Sequence, residues 1–145
     1  MIEVIPFRLY HLDLLKAQGV QEWQKHAVSH VPVPYASLGT PAGIALTVRD
    51  GERIVICGGI LHGFNPTLWA VLSDRASQHM LALTRIAERF LDTQPYRRIE
   101  ASSEEDFPAG CRWLELLGFK FEGRMPGYGD RGETHLRYGL VRGDR

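Results

Sequence analysis

A chain of 145 residues is long enough for one sizeable hydrophobic core and cramped for two independent domains, so a single domain over residues 1–145 is expected. Its 44% apolar and 23% charged residues exclude a disordered, fibrous or membrane-embedded chain. Seventeen basic side chains balance seventeen acidic ones, which removes the net field that draws proteins to nucleic acid or anionic lipid. No nucleic-acid and no membrane partner is therefore expected. The N-terminus, MIEVIPFRLYHLD, lacks the basic start and apolar run of a secretion signal, and the reading is cytoplasmic. Cys57 and Cys111 are too few and too far apart for a disulfide framework or a metal motif, and read as buried free thiols.

In chain order, Ile2 to Arg8 alternates as a short strand, with Pro6 pointing to an edge or a bulge. From Leu12 to about Ser29, Leu12, Leu15, Val20, Trp23 and Ala27 recur at helical spacing, with Gly19 as a weak point. The segment VPVPYASLGTPAG is loop. Ile44 to Arg49 and Arg53 to Phe64 are strands joined at Asp50-Gly51, a strong hairpin signal. Gly58-Gly59 inside the second suggests a bulge.

Leu68 to Leu72 is an apolar run of the kind buried on both faces, and Ser73-Asp74 follows as a helix-capping pair. Ser77 to Asp92 is an amphipathic helix with Met80, Leu83, Ala87 and Phe90 on one face. Arg98 to Ser102 is a strand. Phe107 to Leu117 is a helix opened by Pro108 and ended by Gly118 in a left-handed cap. Phe119 to Met125 and Thr134 to Val141 close the chain as two strands about PGYGDRGE. This alternation argues for a mixed sheet with helices on its faces.

That order, with FPAGCRWLELLGFKFEGRMPGYGDRGETHLRYGLV at the C-terminal end, resembles the GCN5-related N-acetyltransferases (GNAT). Leu117-Gly118-Phe119 resembles the family's helix-to-strand corner. Arg112-Trp113 before it and Glu122-Gly123-Arg124-Met125 after it also resemble small acetyltransferase-like proteins of short-tailed bacteriophages. The resemblance implies an α/β (α+β) fold whose mixed, mostly antiparallel central sheet has splayed fourth and fifth strands and helices on both faces. It implies acetyl-CoA as cofactor and an amine as acceptor, with catalysis largely by positioning.

On that resemblance Val71, Leu72 and Ser73 would run beside the pantetheine arm. Arg75, Ser77, Gln78 and His79 would meet the pyrophosphate at a helix start. Arg75 matches the first position of the family's phosphate loop, whereas Gln78 and Met80 replace its two small residues. Leu114 stands where a proton-donating tyrosine is common. Glu100, a carboxylate inside a strand, is the candidate base. Glu104, Glu105 and Asp106 read rather as capping acids, and Tyr128 is a candidate proton donor from the closing loop. His26 and His30, one helical turn apart, read as solvated helix residues, and no metal is expected. His62 reads as structural, and Trp23, Trp69 and Trp113 as core.

Two functions lead, ahead of a GNAT-like binder that retains acyl-CoA without turnover. One is acetyl-CoA-dependent acyl transfer to a small-molecule or protein amine. The other is a catalytically inactive GNAT-fold component of a phage virion or its assembly, in contact with viral structural proteins in the host cytoplasm or particle. Association into a homo-oligomer stays open under both.

Overall fold

The computed structural model describes residues 1–20, 43–62 and 65–143. The chain forms two compact units, one from Met1–Gly63 with Leu68–Leu83, the other from Phe64–Thr67 with Thr84–Arg145. His26, His30, Trp23, the far half of the expected first helix and the Pro/Gly-rich loop lie outside the described residues.

The first unit contains β1 (Ile2–Pro6), α1 (Tyr10–Gln18), β2 (Gly43–Asp50), β3 (Arg53–His62) and most of β4 (Pro66–Leu72). β1 pairs antiparallel with β2, Ile2 facing Asp50 and Pro6 facing Leu46, and it ends the strand order as Pro6 suggested. β2 and β3 form the expected hairpin, turning at Gly51 with φ 61°. The register shift falls between Val48 and Arg49, not at Gly58-Gly59, which pair regularly with Leu46 and Ala45. Gly58 serves a close approach instead: a Cβ there would lie 2.9 Å from the Trp69 carbonyl oxygen.

α1 stops sooner than the apolar spacing predicts. Gly19 takes φ 115° and returns its N–H to the Leu15 carbonyl at 2.9 Å, and Val20 then bridges to Ser73. A positive φ that glycine adopts without a Cβ clash overrides the periodicity. At the other end the Arg8 N–H, just ahead of the helix, donates to His11 Nδ1 at 3.0 Å. Leu12 and Leu15 are buried with Phe7, Val20, Ile54, Cys57 and Trp69, and Phe7 meets Trp69 edge to face at 5.5 Å. Burial of one such leucine contributes about 1.5–3 kcal/mol. β4 is less enclosed than its apolar run predicts: Trp69 and Leu72 are buried, whereas Leu68, Ala70 and Val71 are half-buried. Side-chain chemistry alone does not say how far a neighbouring layer extends over a strand.

A 3₁₀ turn, Ala76–His79, leads into α2 (Met80–Asp92), which begins in the first unit and ends in the second. The second unit continues with β5 (Arg98–Glu104), α3 (Pro108–Leu116), β6 (Lys120–Met125) and β7 (His135–Val141). β7 pairs antiparallel with both β5 and β6. α3 packs on β5 and β6 through buried Cys111 and Leu114. Gly118, at φ 99°, turns the chain so that Phe119 re-enters the core. Trp113 donates its indole N–H to Thr84 Oγ1 at 3.0 Å.

The strands bond in the order β1-β2-β3-β4-β5-β7-β6, a mixed and mostly antiparallel sheet. Its parallel pairing joins β4 to β5 at Thr67 opposite Glu100, a register carried within the second unit. Both cysteines are buried free thiols. No helix among the described residues is long and apolar enough to cross a membrane.

Candidate functional site

In the first unit the residues of interest follow β4. Ser73 is buried and held on every side: its N–H donates to the Val55 carbonyl at 2.8 Å, and its Oγ accepts from the Arg75 N–H at 2.9 Å. It therefore shapes the turn rather than capping the helix, because the residue at the cap position is Arg75 and no side chain bonds there. Leu72 is buried, and Val71 packs against the core around Trp69.

The turn itself is anchored by Ala76, which is wholly buried, and leaves Arg75, Ser77 and Gln78 exposed. The Ala76 and Gln78 amides donate back to the Ser73 and Arg75 carbonyls at 3.1 Å each. They are thus engaged within the chain, unlike the bare amides of a glycine-rich phosphate loop. No carboxylate occupies the first turn of the 3₁₀ segment or of α2. Asp74 instead lies against Gly19, where a Cβ would meet its Oδ2 at 2.6 Å. His79 is half-buried, 3.8 Å from Asp50. The N-terminal ammonium, 2.7 Å from the same carboxylate, holds Asp50 below the usual carboxylate range. The exposed donors and the carboxylate-free helix start suit an anion, with side chains supplying what the backbone does not.

In the second unit a polar cluster covers one face of β5, β7 and β6. Glu100, nine-tenths buried, accepts from Arg98 Nη2 at 3.2 Å, from Asn65 Nδ2 at 3.4 Å and from Arg137 Nη1 at 3.4 Å. Arg98 also grips Glu122 through both terminal nitrogens, which drives the Glu122 carboxyl below its ordinary range and the Arg98 guanidinium above its own. Gly139 makes room for this pair, since a Cβ there would collide with the Glu122 carboxylate.

Alternation puts Arg98, Glu100 and Ser102 on that face, with Ile99 and Ala101 buried on the other. Glu105 forms a bidentate pair with Arg124 at 2.8 and 3.0 Å, while Phe107 stands at the start of α3 without a side-chain cap. The expected capping role of the acids before α3 is not what Glu105 does. Tyr128 is exposed, its ring 5.3 Å from that of His135. Leu114 is buried. Tyr138 on β7 donates to Glu115 Oε1 at 3.3 Å, and burial pushes its pKa up.

Glu100 and Tyr128 thus both belong to the second unit, while Val71, Leu72, Ser73, Arg75, Ser77, Gln78 and His79 belong to the first. Asn65, Arg98, Arg137 and His135 escaped the sequence reading. Period-2 alternation from Glu100 would have pointed to Arg98 on its own strand, but the others depend on register between strands.

No protein-family model matches the chain, and no curated protein does. Solved structures do match. A probable acetyltransferase from Staphylococcus epidermidis superimposes with a TM-score of 0.77 at 8% identity, over 98% of this chain and 99% of that one. The fold is GNAT-like: an acetyltransferase of the GNAT family from Bacillus cereus matches at TM-score 0.62 and 14% identity, over 97% of each chain. The ribosomal-protein-S18-alanine N-acetyltransferase of Escherichia coli matches at TM-score 0.72 and 14% identity, over 97% and 94% of the two chains. A spermidine/spermine N-acetyltransferase from Vibrio cholerae matches at 0.67 and 10%, over 97% and 92%. At such identities the GNAT likeness is one of fold.

Proposed function

We propose that this chain is a single-domain N-acyltransferase of GNAT type, which moves an acetyl group from acetyl-CoA to an amine. The observation that carries the reading is the turn after β4, which combines a GNAT position in the chain with exposed Arg75, Ser77 and Gln78 and no carboxylate in the first helical turn. In this reading Arg75, Ser77, Gln78 and His79 hold the pyrophosphate by side-chain donors. Val71, Leu72 and Ser73 flank the pantetheine arm. Bound acetyl-CoA supplies an acyl thioester with an electrophilic carbonyl carbon. The chain's own part is to hold the amine in line and move protons. Glu100 provides a fixed negative charge on the β5 face, and Tyr128 is the proton donor.

Calorimetric titration with acetyl-CoA tests the binding half. Micromolar affinity in the wild type, weakened at least about tenfold in R75A, is expected from loss of one charge-assisted contact; no heat at millimolar ligand overturns the reading. Spermidine, named for one structurally similar enzyme, and alanine amide, a stand-in for the protein alanine named for another, serve as probe acceptors in a thiol-release assay.

A second reading is favoured by the engaged Ala76 and Gln78 amides and by buried Leu114 at the proton-donor position. It makes the chain a non-catalytic GNAT-fold component, as in a phage particle, and it predicts no acetyl-CoA binding at all.

A further inference from the structure

The loop between β6 and β7 is built around one carboxylate. Glu133 Oε2 accepts the Arg131 N–H at 3.0 Å, and the Glu133 carbonyl accepts the Gly129 N–H at 3.0 Å. Gly129 lies directly beneath the side chain, so that a Cβ at this position would occupy the space of Glu133 Oε1. Backbone amides, first its own, hold the carboxyl below its ordinary range. The carboxylate so held faces His135, with Oε1 3.5 Å from Nε2. The other ring nitrogen, Nδ1, lies 3.5 Å from Ser102 Oγ, and Ser102 is exposed. The Tyr128 ring tilts over the imidazole.

We infer that Glu133, His135 and Ser102 form a proton relay, with Nδ1 of His135 as the accepting atom and Ser102 as its mouth. A carboxylate opposite Nε2 keeps the proton there and leaves the Nδ1 lone pair directed at the hydroxyl. Ser102 lies two residues from Glu100 on the same face of β5, and His135 lies two residues from Arg137 on β7, so the relay continues the Glu100 cluster. Glu100 itself is engaged with two guanidinium groups and an amide. The division of labour is that Glu100 holds charge and His135 moves the proton.

The inference rests on the acyltransferase reading, in which an ammonium group must lose a proton before it can attack. Its N–H bond breaks and the electron pair stays on nitrogen. Ser102 Oγ takes that proton while passing its own to Nδ1, and the imidazolium, facing Glu133, releases a proton to solvent once the product leaves. Glu133 is a positioning residue.

The groups that face His135 are Glu133 and Tyr128 of the loop, Ser102 and Glu104 of β5, Met125 of β6 and Arg137 of its own strand. Ring-nitrogen NMR across pH, with wild type, E133Q and G129A, reads the relay without turnover. Both variants are expected to lower the His135 titration midpoint by at least about half a pH unit, because the imidazolium loses its carboxylate. An unmoved midpoint in both overturns the relay.

In the thiol-release assay H135Q is expected to lose at least about 100-fold in kcat and the acid limb of its pH profile. Its affinity for acetyl-CoA by calorimetry stays that of the wild type, and E133Q moves the limb to lower pH. Wild-type kcat and profile in H135Q overturn the inference alone. A wild type that binds no acetyl-CoA, or acetylates neither probe amine, overturns the acyltransferase reading and the inference with it.

Discussion

The two units use polar side chains in opposite ways. In the first, His11, Thr47 and Cys57 form a dry line inside the core: the Arg8 N–H and the Thr47 hydroxyl both donate to His11 Nδ1, at 3.0 and 2.8 Å, and the Cys57 thiol lies 3.6 Å behind Thr47. Two donors on Nδ1 place the ring proton on Nε2 and keep the imidazole neutral. Burial lowers the His11 pKa and raises that of Cys57 to about 11. In the second, the Arg98, Glu100, Glu122 and Arg137 cluster is charged, partly open to solvent, and spread over a sheet face. A buried neutral line holds an element in place. An open charged cluster keeps groups poised where a ligand can meet them.

The comparison is broken most severely by removing core volume from the first unit. L15A is expected to cost about 2–5 kcal/mol in urea unfolding. T47V follows at about 1–3 kcal/mol, because His11 Nδ1 and the Cys57 thiol lose a partner where no water replaces it. In the second unit, under the proposed acyltransferase reading, the effect moves from stability to chemistry. R137M, which leaves Glu100 bonded to Arg98 and Asn65, is expected to shift the urea midpoint little and to reduce acetyl transfer at least about tenfold; unfolding and thiol-release assays on the same preparation separate the two.

The His11 line also has a pH signature. Its folded pKa is below the ordinary 6.5, so its contribution is fully present above that value and is lost as pH falls through the depressed folded value. Thermal unfolding from pH 7 downward should show a loss of stability that is absent in H11N. Smallest of all, R124A removes the exposed pair with Glu105 and is expected to leave the unfolding midpoint unchanged.

Most of the elements were legible from local chemistry. Asp50-Gly51 marked a hairpin, Gly118 a helix end and Pro6 an edge strand or a bulge, because each is a backbone preference that acts within a few residues. The misreadings came where a local pattern met a distant neighbour. Apolar spacing carried α1 through Gly19, and Gly58-Gly59 suggested a bulge where the Trp69 carbonyl requires room. Ser73 looked like a helix cap, but its hydroxyl serves a turn. Of the candidate site, Arg75, Glu100 and Tyr128 could be named from the chain, while the groups that give them surroundings could not.

The sequence by itself determined the order of elements and the departures at Gln78, Met80 and Leu114, since identity and spacing are all those readings need. Only the tertiary structure decided that Glu100 is gripped by Arg98, Asn65 and Arg137. It alone set Glu133 and Ser102 on opposite nitrogens of His135. The contacts of Arg137 with Glu100 and of His135 with Ser102 depend on which residues of β5 and β7 stand opposite one another, and a shift of one residue in that register would turn one strand's partners to the other face.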